Sequence, residues 1–428
     1  MYFNTQNAKI ASITEKTLIV GIDVGSETHF ARAFDWRNYE YSKKPLAFSN
    51  NEAGFRTFMA WMEDIATKHG KNVVIPGMEP TGHYWFALGK FLQDNGMRPV
   101  HVNPHHVKKS KELDDNNPNK NDRKDPKTIA ALVNEGRFSY PYIPTGIYAE
   151  IRNLSNLRFQ VQEEITRIKN RIARWFSIYF PEYKNVYGSL EATSGMMILK
   201  AAPLPVDIKK LGVEGINKIW REAKLRAAGL KRAKTLVSAA EHSVGSQEAP
   251  DSARMELENL LNDYEVYNAR LEKLLQKIGE KLFEIPYIDK LLEIKGIGLI
   301  TVSGFVAEVG DISRFDNPKQ LQKLAGYAIV DCSSGKHQGE SHISYRGRKR
   351  LRYVLYEAAI SVIGKNAEFK EIHNYYRTRD VNPLKKMQSV IAVACKLLRV
   401  FYTILTKGVD YDGMKLMSDI RRPQLKAA

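Results

Sequence analysis

The chain has 428 residues, 43% of them hydrophobic and 26% charged, which excludes a disordered or fibrous protein and leaves a globular one. Its 65 Lys and Arg outnumber its 48 Asp and Glu, for a formal charge of +17. That excess points to a polyanionic partner, since basic side chains gain affinity by releasing counterions from phosphates.

A chain of this length is expected to hold two or three cores. "TLIVGID", "HFARAFD" and "PLAFS" predict three successive strands joined by short polar turns. "NEAGFRTFMAWMEDIATKHG" carries Phe55, Phe58, Met59, Met62 and Ile65 at helical spacing. "NVVIPGME" predicts a fourth strand, "HYWFALGKFLQDNG" a helix ending on glycine, and "PVHVNP" a fifth strand. Three strands followed by helix, strand, helix, strand, helix is the order of an RNase H-like α/β sheet. A Rossmann unit would place a helix after the first strand, and none fits there.

From Ile151 the texture changes. Ile151, Leu154, Val161, Ile165, Ile168, Ile172 and Trp175 describe one long amphipathic helix. Leu257, Leu260, Tyr264, Tyr267, Leu271, Leu274 and Ile278 alternate steps of three and four, a coiled-coil seam that can pair within one chain or across a dimer. Between them, residues 208 to 235 hold nine Lys or Arg against two Glu. A solvated face is the plainer account of such a run, but Trp220 amid the positive charge points to contact with nucleic acid. Residues 286–428 are mostly helical by pattern, so the chain reads as 1–146, 147–285 and 286–428, an α/β region followed by two all-α regions.

Metal-dependent phosphodiester chemistry needs carboxylates from separate elements to meet on cations roughly 4 Å apart, and hard oxygen ligands suit Mg²⁺ or Mn²⁺. Asp23 ends the first strand and Glu79 the fourth. A strand-end acid alone is ordinarily an exposed polar residue, and a buried one is costly without a partner. In "NKNDRKDPKTIAALVNEG", Asp122 and Asp125 lie three apart at a helix start, where either alone serves as an N-cap. Together, after the fifth strand, they favour a metal site. The rival use of an Asp-x-Gly-Ser loop, an actin-like or sugar-kinase ATPase, would need a second phosphate loop and an adenosine motif that the chain lacks.

"GIDVGSETH", "EPTGHYW", "VNPHHVKK" and "NDRKDPKTIA" occur in this order, and with the four acids they resemble the DEDD transposases of the insertion-sequence one-ten family, including its eleven-eleven branch and related DNA invertases. The resemblance covers nearly the whole chain, although residues 183 to 250 are longer than the shorter members need. It implies a RuvC-like N-terminal domain with Asp23, Glu79, Asp122 and Asp125 as metal ligands.

Further on, "IKGIG" resembles a helix-hairpin-helix turn, whose backbone N–H groups around Gly296 and Gly298 can meet a phosphate; an ordinary helix–helix turn is the plainer account. "DCSSGKHQG" is a polar loop leading into the basic "SYRGRKRLRY". On composition alone it is simply a loop. The family resemblance implies a C-terminal transposase domain whose Ser-Gly loop joins DNA covalently. By that match Ser334 is the first choice of nucleophile and Ser333 the second, with Cys332 beside them a packing residue. Arg346, Arg348, Lys349, Arg350 and Arg352 are expected to contact phosphates, Arg352 as the catalytic helper.

The expected function is therefore a transposase or site-specific recombinase using a serine and metal ions. The resemblance further implies a non-coding bridge RNA that pairs with donor and target DNA. It also implies a homo-oligomer, dimer or tetramer, in which one subunit's serine meets another's metal site. A junction resolvase or nuclease using metal-activated water is the enzymatic alternative, and a nucleic-acid-binding scaffold the non-enzymatic one. No apolar run reaches the roughly 18 residues of a membrane span, the N-terminus lacks a secretion signal, and two cysteines give no disulfide framework. A cytoplasmic, nucleoid-associated prokaryotic protein without a membrane partner is expected.

Overall fold

The computed structural model describes residues 6–114, 125–190, 192–226, 228–330, 333–334, 337–338 and 342–425. Two compact units result, Met1–Ile143 and Pro144–Ala428.

The first unit is a mixed α/β sheet. Its elements are α1 (Gln6–Ala11), β1 (Thr17–Asp23), β2 (Thr28–Phe34), β3 (Leu46–Ser49), α2 (Glu52–Lys68), β4 (Val73–Met78), α3 (Trp85–Asp94), β5 (Val100–Val102), α4 (Pro104–Asp114), α5 (Asp125–Asn134) and β6 (Phe138–Ser139). The strands lie in the order β3-β2-β1-β4-β5-β6. β1 is antiparallel to β2 and parallel to β4; β4 and β5 are parallel, and β6 returns antiparallel on β5. Five strands match the reading from sequence. The two-residue β6 and the short α1, which buries no residue, carry no hydrophobic period and escaped it.

β1 is apolar on both faces because helices cover both. Leu18, Val20 and Ile22 join Phe55, Phe58, Met62, Trp85 and Leu88 in one core under α2 and α3. Ile19 joins Val107, Ile129, Ala130 and Val133 in a second core under α4 and α5.

The second unit is almost entirely helical. Two long helices, α6 (Gly146–Tyr179) and α11 (Pro250–Leu282), pack along each other. Between them in sequence come α7 (Tyr183–Val186), α8 (Thr193–Ala201), α9 (Pro205–Glu222) and α10 (Leu230–Glu241), which close a core with Ile165, Ile172, Trp175, Leu257 and Tyr264. Trp220 belongs to that core. It is 0% exposed, and its indole Nε1 donates to the Ser194 carbonyl at 2.9 Å, so the expectation that it meets nucleic acid is wrong. Ile208, Ile216 and Trp220 form the buried face of α9, and the lysines lie off it.

The remaining elements are α12 (Ile288–Leu292), α13 (Leu299–Val309), a 3-10 turn at Ile312–Arg314, α14 (Pro318–Ala325), the two-residue strands β7 (Ile329–Val330), β8 (Ser333–Ser334), β9 (His337–Gln338) and β10 (His342–Ile343), then α15 (Lys349–Lys365), α16 (Ala367–Thr378), α17 (Lys386–Lys407) and α18 (Gly413–Leu425). They share a core with Ile151 of α6 and Leu282 of α11, so both long helices run through both helical cores. Contrary to the sequence reading, α17 is long and apolar enough by composition to cross a membrane. Its Val393, Ala394, Leu397, Leu398 and Phe401 are each 0% exposed, and they are the centre of this core.

Candidate active site

Asp23 and Glu79 come together through strand register. Gly21 pairs with Gly77 and Ile22 with Met78, so the next step along the parallel strands sets Asp23 abreast of Glu79. Alternation fixes the face. Ile19 and Gly21 face α4 and α5, as do Ile75 and Gly77, while Val20, Ile22 and Met78 face the opposite core; by alternation Asp23 continues the first set, and Glu79 follows directly after β4. Neither acid is sealed off, both being half-buried at the C-terminal ends of the two central strands.

Helix α5 crosses that face at backbone contact. A Cβ on Gly21 would lie 1.8 Å from the Pro126 carbonyl oxygen, and one on Gly77 would lie 2.5 Å from Val133 Cγ2. Only glycine admits the helix there. The crossing lays the first turn of α5, which Asp125 begins, on β1 at Gly21. Asp125 is 6% exposed, and its Oδ2 accepts from the Lys111 ammonium of α4. Lys111 arrives there because Asn103 starts α4: its Oδ1 accepts from His105 N at 2.9 Å, Pro104 takes the first helical position, and Lys111 follows two turns on. This is the physical content of "VNPHHVKK", and Lys111 is a site residue the sequence reading missed.

The turn after Asp23 is held from behind. His29, 0% exposed on β2, accepts through Nδ1 from the Gly25 N–H at 3.2 Å, which assigns its proton to Nε2. Asn50 Nδ2 donates to the Ser26 carbonyl at 3.0 Å. The histidine of "GIDVGSETH" thus shapes the loop beside the acid, and burial lowers its pKa below the ordinary value.

Asp23, Glu79 and Asp125 offer hard carboxylate oxygens, the donor chemistry that Mg²⁺ or Mn²⁺ requires. Their side chains are not gathered: among the described residues no three Asp, Glu, His or Cys groups lie close enough to hold an ion. Asp122 lies outside the described residues. Asp125 already has a cationic partner in Lys111, so its carboxylate could serve a hard cation only once that ion pair opens.

In the second unit the serines stand on a small antiparallel hairpin. Ser333 pairs with Gln338 and Ser334 with His337, and the flanking β7 and β10 pair Ile343 with Ile329 and His342 with Val330. Cys332 lies outside the described residues. The basic helix start follows from Gly347, whose backbone meets that of Gly326 so closely that a Cβ would stand 2.4 Å from Gly326 N. Arg352 Nη1 donates to the carbonyls of Ala325 at 3.1 Å and Tyr345 at 3.3 Å, which ties the hairpin's base to α15. Arg348 Nη1 donates to the Glu308 carbonyl at 2.7 Å. Arg346, Lys349 and Arg350 are exposed, and Arg350 reaches Asn156 Oδ1. Gly296 packs on α15, its carbonyl accepting from Ser361 Oγ at 2.7 Å, whereas Gly298 is exposed at the start of α13.

Known proteins resemble the chain in both units. Residues 20–181 match a family model described as Transposase, that of the DEDD transposases of IS110. Residues 288–377 match one described as Transposase IS116/IS110/IS902 family. An insertion element IS116 protein of Streptomyces clavuligerus is 23% identical over 90% of this chain and 94% of its own length. An insertion element IS900 protein of Mycobacterium paratuberculosis is 24% identical over 67% of this chain and 72% of its own. The pilin gene-inverting protein of Moraxella lacunata is 30% identical over 30% of this chain and 40% of its own.

Proposed function

The chain belongs to the IS116/IS110/IS902 family of transposases, and from that membership we propose that it cuts and rejoins DNA by serine phosphoryl transfer, with Asp23, Glu79, Asp122 and Asp125 holding Mg²⁺ or Mn²⁺. Transposase or recombinase activity on DNA follows from the family itself. What supports the metal half of the reading is the parallel register of β1 and β4, whose last pair, Ile22 with Met78, is followed on the two strands by Asp23 and Glu79. The strand order, with β1 antiparallel to β2 and parallel to β4, supports an RNase H-like, RuvC-like reading of this unit. The pairing of α6 with α11 supports an intramolecular coiled-coil arm over 147–285, between the acid-bearing region 1–146 and a serine-bearing region 286–428.

In this reading Lys111 gives up Asp125 when the carboxylates take metal. A bound divalent cation would neutralise charge at the attacked phosphate and ease deprotonation of the nucleophile. Ser334, or Ser333 beside it, bonds its oxygen to phosphorus and loses its proton, while the deoxyribose oxygen leaves and gains one. Arg346, Lys349 and Arg350 contact phosphate, with Gly298 presenting backbone N–H groups at the start of α13. Arg348, Arg352 and Gly296, expected from the sequence to meet phosphate with Arg352 as catalytic helper, bond to protein partners here, and in this reading they hold the frame these groups stand on. A bridge RNA and a dimer or tetramer in which serine and acids come from different subunits complete the proposal; the charge of +17 supports a polyanion.

Cleavage of a supercoiled plasmid bearing the element's own ends tests the reading. Asp23→Asn, and Ser333→Ala with Ser334→Ala together, are each expected to lower strand cleavage by about 10³-fold or more. Intact cleavage by the double serine variant would leave metal-activated water as the nucleophile.

A further inference from the structure

Helix α6 carries one charged side chain into the second unit's interior. Arg158 is 7% exposed. One turn earlier Ser155 Oγ donates to the Ser303 carbonyl at 3.4 Å, which fixes this face of α6 against α13. On α13 in turn, Gly304 admits Val354 of α15. A guanidinium has five donors and stays protonated, so a buried one is costly unless something accepts from it. Arg158 makes no hydrogen bond and no ion pair among the described residues. None of its nitrogens is a sealed, unsatisfied atom, so the group still reaches solvent. Burial pushes its pKa below the ordinary value, the Tyr353 phenol acting in the opposite direction.

A second guanidinium packs on the neighbouring Phe159 ring. Arg158 Cζ stands 4.4 Å and Arg350 Cζ 4.9 Å from the centroid of the same Phe159 ring. Arg350 is held in place by Asn156, and no carboxylate pairs with either arginine among the described residues. Two guanidinium groups without carboxylate partners on one ring concentrate positive charge that an anion would offset. A guanidinium fixed by packing loses little rotamer freedom when it takes one, and it presents a planar fork that matches phosphate.

We propose that Arg158 and Arg350 form a phosphate-binding site where α6 meets the start of α15, and that its ligand is a phosphodiester of a nucleic-acid backbone. The inference rests on the transposase reading above and adds to it a named contact outside the carboxylates and the serine hairpin. The contact fixes a strand's position without reading its sequence.

Fluorescence anisotropy over a salt series with the full chain decides it, using labelled duplex DNA and labelled single-stranded RNA of random sequence. Arg158→Met removes the charge and keeps the length. It is expected to weaken binding of one of the two probes by about tenfold or more and to lower the salt slope by about 0.9 for duplex or about 0.7 for single strand. The probe that loses affinity identifies the strand. Without nucleic acid the same variant is expected to melt at a higher temperature, because an unmatched buried charge is gone. Arg158→Lys, which keeps charge but not the fork, is expected to retain the parental slope at reduced affinity. Unchanged affinity and slope for both probes, or a lower melting temperature with unchanged binding, would overturn the phosphate site and leave the transposase reading standing. A parent protein that binds neither probe would overturn that reading itself.

Discussion

Gly21 shows how much a single missing methyl group can carry. The strand wants a β-branched residue there, yet the space belongs to the first turn of α5. Gly21→Ala forces the helix off the sheet and is expected to cost about 1–3 kcal/mol or more, read as a lower urea midpoint. On the proposed reading it should also abolish cleavage, because Asp125 moves with the helix. His101 supplies a different test. Its ring meets Trp85 edge-on, with centroids 4.2 Å apart, and burial pushes its pKa down to about 4. As pH falls from about 6.5 toward that value, the unfolded chain binds a proton that the folded chain refuses. Stability therefore falls through this window, by up to about 1.4 kcal/mol per pH unit. Burial lowers the pKa of His29 and His373 as well, so both add in the same direction. His101→Phe should flatten the pH dependence of the urea midpoint between about pH 7 and about pH 5.

Among elements, the strands and long helices were legible because their periods are local. β1 reads as a buried central strand from its unbroken apolar run, and α6 and α11 from steps of three and four. Trp220 was misread because charge was given more weight than spacing. Ile216 and Trp220 stand four apart, the signature of a buried stripe, and the lysines around them are the solvated side of the same helix. Trp220→Ala is expected to destabilise the α7–α10 core by about 3–5 kcal/mol. Trp220→Phe should leave nucleic-acid affinity at the parental value in the same anisotropy measurement. What brings Arg158 and Arg350 to the same ring was not legible, since nearly two hundred residues separate them and α13, packed against both α6 and α15, joins their helices.

For the molecule as a whole, the sequence places Asp23, Glu79 and Asp125 at or just past the ends of elements of the first unit, but their side chains do not gather among the described residues. Lys111 was not legible, because nothing in its own helix announces a partner on the next. Its presence has a practical consequence for work with the purified protein. An acid that must gather cations would ordinarily destabilise a chain stripped of them, and chelation would then inactivate by unfolding. Here the chain carries its own replacement charge at Asp125. EDTA is expected to leave the melting temperature of the protein unchanged while ending cleavage, so lost activity in a chelator can be assigned to chemistry and not to damage.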